Sequence, residues 1–93
     1  MAHLSIIKKH QLSLSEARKA AEAVTEDLKA RFELECRWEG NVVRFERSGL
    51  SGALTVGADS VRLDCQLGFL FSALKGSIER EVHKEFDKRF GVA

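Results

Sequence analysis

The chain has 93 residues, 44% of them apolar and 31% charged, and its fifteen basic and fourteen acidic side chains leave a formal net charge of +1. A chain this short builds one hydrophobic core, and so a single domain over residues 1–93. Its composition excludes disorder, and its balanced charge supplies no field to gather nucleic acid. No run approaches the roughly 18 apolar residues of a membrane span, and Met1 to His10 lack the apolar stretch of a signal peptide, so a cytoplasmic protein is expected.

Leu4, Ile6 and Ile7 suggest a short first strand between His3 and Lys9. Ser13-Leu14-Ser15-Glu16 reads as a capping box that opens a helix, with Leu12 placed to staple it. Ala17, Ala20, Ala21, Val24, Leu28 and Phe32 then recur at three- and four-residue steps, which predicts an amphipathic helix with Arg18, Glu22, Glu26 and Lys29 in water.

At Leu34 the period falls to two. Leu34, Cys36 and Trp38 alternate with charged residues up to Gly40-Asn41, a pair suited to a tight hairpin, and Val43 and Phe45 continue on the return. Ser48 to Gly52 reads as the next turn, Leu54 and Val56 as a third strand of this run, and Gly57 to Ser60 as another turn. Val61, Leu63, Cys65 and Leu67 give the fourth apolar face. The expected registers make one rung of Trp38, Val43, Val56 and Val61 and a second of Cys36, Phe45, Leu54 and Leu63; a third combines Leu34, Arg47, Gly52 and Cys65. Trp38 is thereby expected in the core. The opposite face collects Glu35, Arg37, Arg44, Glu46, Arg62 and Asp64, the wet side of a sheet covered on one face only, with Arg37 against Arg44 and Glu35 against Glu46.

Leu74, Ile78, Val82, Phe86 and Phe90 recur every fourth residue and predict a last helix that Gly91 ends. The expected fold class is α+β, a two-layer sandwich in the order β-α-β-β-β-β-α. A mostly antiparallel five-stranded sheet, its first strand beside its last, carries two helices on one face, by analogy a reduced helix-grip arrangement.

Little in this pattern carries chemistry. Cys36 and Cys65 fall on inward positions of different rungs and read as free core thiols. His3, His10 and His83 lack metal-ligand spacing and read as surface residues, and no phosphate loop, nucleophile elbow or HExxH occurs. No catalytic residue, metal or cofactor is therefore expected. Two features stand apart. Arg47 has inward parity at the end of the sheet, either as a snorkelling arginine or as an anion contact. Leu67 to Leu74 is the most apolar stretch, and neither strand nor helix periodicity can bury Phe69, Leu70 and Phe71 together.

The segments His10 to Ala17, Arg37-Trp38-Glu39-Gly40, Phe45 to Gly52 and Leu67 to Glu79 together resemble the bacterial polyhydroxyalkanoic acid system family, small proteins associated with polyester storage granules. The likeness spans nearly the whole chain in order. It implies a setting in which hydroxyacyl thioesters are polymerised into granules, and it brings no catalytic residues. The expectation is a non-catalytic accessory protein at the granule surface or on a granule protein, with Leu50, Phe69, Leu70 and Phe71 forming an apolar rim. Two other readings are a carrier or enzyme for an acyl ligand held between the sheet and the last helix, where Arg47 would meet its carboxylate or phosphate, and a homodimeric interaction module.

Overall fold

The computed structural model describes residues 2–91. Strand β1 (Ala2–Lys9) precedes helix α1 (Leu14–Phe32); β2 (Glu35–Glu39), β3 (Val42–Arg47), β4 (Leu50–Val56) and β5 (Ser60–Leu67) form the meander; a short helix α2 (Phe69–Ser72) leads into α3 (Lys75–Phe90). The sheet is antiparallel throughout, in the order β1-β5-β4-β3-β2, so the first strand does lie beside the last. The α+β sandwich read from the sequence is the fold.

Local chemistry explains the boundaries. Ser13 Oγ accepts the Glu16 N–H and the Glu16 carboxylate accepts the Ser13 N–H, both at 3.1 Å, which closes the capping box. α1 ends at Glu33, in the left-handed region at φ 56°. Ala17, Ala21, Val24 and Leu28 of α1 and Ile78, Val82, Phe86 and Phe90 of α3 are buried against Leu54, Val56, Val61 and Leu63 of the sheet. Burial of these stripes is the main source of the fold's stability.

One register departs from expectation. β2 pairs with β3, and β4 with β5, as the alternation requires, but the β3–β4 hairpin is shifted by two residues. The chain turns on Ser48-Gly49 alone, with Gly49 at φ +86°, instead of over Ser48 to Gly52. An even shift keeps every side chain on its face. The rungs become Trp38, Val43, Leu54, Leu63, Ile6 and Cys36, Phe45, Gly52, Cys65, Leu4. Gly52 thus sits opposite Phe45, and a Cβ there would come within 2.9 Å of the Phe45 ring and of Cys65 Cα. The two cysteines therefore share a rung, with β3 and β4 between them, where different rungs were expected.

Two further expectations change. Trp38 is half-buried, because β2 is an edge strand and its indole is covered by the Arg18 guanidinium, 3.9 Å from the ring centroid. Arg18 also donates to the Gly40 carbonyl at 2.9 Å and so ties α1 to the β2–β3 turn. His10 is buried, not at the surface: Nε2 donates to the Gly57 carbonyl (3.0 Å), Nδ1 accepts the Leu12 N–H (3.1 Å), and the ring packs beside Phe90. With both nitrogens engaged, the imidazole is a hydrogen-bonded peg joining the β1–α1 and β4–β5 connections.

The helices are clasped by charge. Arg89 donates to Asp27 at 2.7 Å, Arg31 pairs with Glu81 at 3.2 Å, and Glu85 is buried beside the first pair. Burial and the neighbouring Asp27 carboxylate push the Glu85 carboxyl above its ordinary value near 4.5. A carboxyl raised in the folded state contributes stability that is complete below its ordinary value and lost as pH rises through the folded one. Glu85→Gln holds the protonated shape at every pH, so the variant should match wild type near pH 4 and exceed it at pH 7 by about 1 kcal/mol or less. Urea melts at the two pH values measure this, and a variant less stable at pH 7 would contradict the reading.

Candidate functional site

The Leu67 to Leu74 stretch resolves into a mount and a ledge. Gly68 leaves β5 with its N–H donated to the Gly49 carbonyl at 2.7 Å, and a Cβ on Gly68 would stand 3.1 Å from that oxygen and 3.2 Å from Gly49 Cα. Two glycines thus let the β3–β4 turn and the β5–α2 joint touch backbone to backbone. The Ser72 hydroxyl returns to the Gly68 carbonyl (2.9 Å) and lies 3.2 Å from that of Leu67. Phe71 packs half-buried against the core, its ring beside Gly49.

Successive helical residues point about 100° apart, so seating Phe71 inward turns its two predecessors out. Phe69 is 87% exposed and Leu70 77%, and Leu74, placed by periodicity in the buried stripe of the last helix, is 50% exposed just before α3 begins. From Cys65 to Ile78 no carboxylate occurs, and Lys75 is the sole charge. The ledge is an apolar protrusion without acidic residues in a chain that otherwise interleaves its charges.

The other expected rim residues lie elsewhere. Leu50 is buried, 5% exposed, because the two-residue turn makes it the first residue of β4, paired with Arg47 and Leu67 and facing the core. It is not part of an exposed rim. Arg47 donates from Nη1 to the Phe32 carbonyl at 2.8 Å, at the C-terminus of α1, where a cation also meets the helix dipole. Its guanidinium lies 5.1 Å from the Phe71 ring centroid. The arginine is engaged in holding α1 and Phe71, and what it offers an anion is only what these contacts leave.

The core under the last helix is filled: Val82 and Phe86 of α3 and Leu54, Val61 and Leu67 of the sheet are all almost completely buried in one apolar cluster. An open depression of about 920 Å³ lies instead at the end of the sheet, walled by His3, Glu35, Glu46, Arg47, Ser51 and Gln66. Its wall is mixed, with Ala2, Leu50 and Leu67 beside Glu33, Glu35 and Glu46, and the three carboxylates disfavour the anionic head of an acyl ligand. Among the described residues no three His, Cys, Asp or Glu side chains gather as a metal site. Among these residues no helix is long and apolar enough to cross a membrane.

Burial also governs the thiols. It pushes Cys65 up to about 11, and raises Cys36 as well. At pH 8 an aromatic disulfide reagent should label Cys36 slowly and Cys65 at least about a hundredfold more slowly than an unfolded cysteine, because thiolate and access are both scarce. Fast labelling of both in the native protein would contradict the burial.

The family described as "putative polyhydroxyalkanoic acid system protein" matches residues 4–90. The chain belongs to this family. The match takes in the mount, the ledge, β2 to β5 and β1 from Leu4 onward, so these features lie within the family's extent. No curated protein sequence matches. Among solved structures the chain is similar to the NMR structure of PA4090 from Pseudomonas aeruginosa, at a TM-score of 0.54 and 7% identity over 90% of this chain and 83% of that one. At that identity the likeness concerns the fold alone.

Proposed function

We propose that this polyhydroxyalkanoic acid system protein is an accessory protein of the cytoplasmic storage granule, attaching reversibly to the granule surface by sinking Phe69 and Leu70, with Leu74 beside them, into its apolar layer. It binds and does not turn over. The observation that carries this is the exposure of two adjacent large apolar side chains on a mount made rigid by Gly49, Gly68, Phe71 and Ser72. A soluble domain leaves such a pair in water at a cost that selection accepts where the pair has work to do. Covering both side chains would release about 3–6 kcal/mol before the cost of association, which is sufficient for reversible attachment and far short of a spanning helix.

Fractionation of a polymer-accumulating bacterium tests it. The wild-type chain should be recovered with granules floated away from cytosol, and the Phe69→Ser, Leu70→Ser double variant should remain in the cytosol. Equal recovery of the two with granules would sink the proposal.

A further inference from the structure

β2 is an edge of the sheet, and among the described residues no strand pairs with its outer side. The Gly40-Asn41 turn makes Glu39 and Val42 the closing pair of the hairpin. Hydrogen-bonded pairs alternate along an antiparallel ladder, so Glu35, Arg37 and Glu39 bond toward β3 while the N–H and C=O of Cys36 and Trp38 point out of the sheet. An edge of this kind is a template for another strand.

The side chains of β2 are poorly satisfied within the chain. On the wet face Glu35 stands opposite Glu46 and Arg37 opposite Arg44, pairs that repel. Arg44 finds Glu39 at 2.9 Å, but no ion pair within 4.0 Å engages Glu35 or Arg37 among the described residues. On the covered face Cys36 and Trp38 are only half-buried, because the sheet stops there.

The geometry points to the β2 edge as an interface with a second copy of this chain, the two strands antiparallel about a two-fold axis through Cys36. In that register Glu35 faces the partner's Arg37 and Arg37 faces the partner's Glu35, so the acid pair on one side of the axis continues into the arginine pair on the other. The repulsive rungs of the single chain become neutral rows across the joined sheet. An axis through Arg37 would set arginine against arginine, and one through Trp38 would carry Glu35 past the Gly40-Asn41 turn. The axis through Cys36 also sets the two Cys36 Cα atoms about 5.5 Å apart, within disulfide reach. The interface is separate from the ledge and does not depend on granule attachment.

Sedimentation equilibrium of the full chain, under reducing conditions, tests the interface. The mass should rise from 10.4 kDa when dilute toward twice that when concentrated. Arg37→Glu faces Arg44 favourably in its own chain but meets the partner's Glu35, so it should keep the fold while weakening association about tenfold or more. Adding Glu35→Arg to Arg37→Glu restores opposite charges across the axis and should restore the dimer. Diamide, which takes the two thiol hydrogens to become a hydrazine, should join the chains through Cys36; Cys36→Ser should abolish this product and Cys65→Ser should not. A chain that stays single at all concentrations overturns the inference, whether or not its edge takes up a strand of another protein. So does a dimer indifferent to Arg37→Glu.

Discussion

Phe86→Ala should cost about 3–5 kcal/mol, a large part of the roughly 5–15 kcal/mol that holds a domain of this size together. Phe86 is completely buried in the C-terminal half of α3 and meets Phe90 edge to face at 5.7 Å. Its loss leaves a cavity walled by a sheet on one side and α1 on the other, neither of which can collapse into it without breaking its own packing. Trp38→Ala removes a larger side chain but should cost only about 1–2 kcal/mol, since a half-buried edge position surrenders little desolvated area and one cation–π contact. Urea denaturation of the two variants gives the comparison. A tryptophan variant less stable than the phenylalanine variant would mean that β2 is not an edge, and the arrangement of strands would be wrong.

The second large effect concerns attachment and leaves the fold alone. Phe69→Ser with Leu70→Ser exchanges two exposed side chains, so stability should move by no more than about 0.5 kcal/mol while solubility rises. Affinity for polyhydroxyalkanoate particles should fall at least about a hundredfold, the equivalent of losing about 3 kcal/mol of apolar burial. Phe71→Ser should behave differently. Its ring holds Gly49 and faces Arg47, so it should lower stability and loosen α2 as well as weaken binding. Depletion assays on washed particles, with thermal melts of the same samples, separate the two kinds of loss. A double variant that binds as tightly as wild type would remove the ledge from the account.

Much of the fold was legible because its signals are periodic. The capping box at Ser13, the stripe from Ala17 to Leu28, the four-residue recurrence from Ile78 to Phe90 and the alternation from Glu35 onward each follow from one element's geometry. The β3–β4 register was not legible, since Ser48 to Gly52 contains two glycines and either could end the strand. Only Phe45, which needs the bare backbone of Gly52 opposite it, decides between them, and that is a contact across strands. The burial of His10, a surface residue by sequence, was not legible for a similar reason. Its partners, Gly57 and Leu12, are backbone groups that no residue pattern announces.

The site was legible in part. Three consecutive apolar residues at 69 to 71 cannot share one face, and that conflict marks the ledge whatever the fold. Which of them stays outside depended on the mount, and so on Gly49 and Gly68 meeting backbone to backbone. The same two-residue turn carries Leu50 into β4 and the core, and the four-residue period runs back to Leu74, one residue before α3 begins. Arg47 carried the inward parity of a binding residue, but its partners are the last turn of α1 and the Phe71 ring.

The most direct measurement follows a polarity-sensitive dye attached at position 70. With Cys36→Ser in the background, Leu70→Cys gives one reactive thiol on the ledge, because Cys65 is buried, and Ala58→Cys gives a control in the β4–β5 turn. On mixing with polyhydroxyalkanoate particles the dye at 70 should shift to the blue as it leaves water, and the dye at 58 should keep its aqueous emission. A dye that remains aqueous at 70 while the protein sediments with the particles, or one that shifts equally at both positions, would contradict attachment through the ledge.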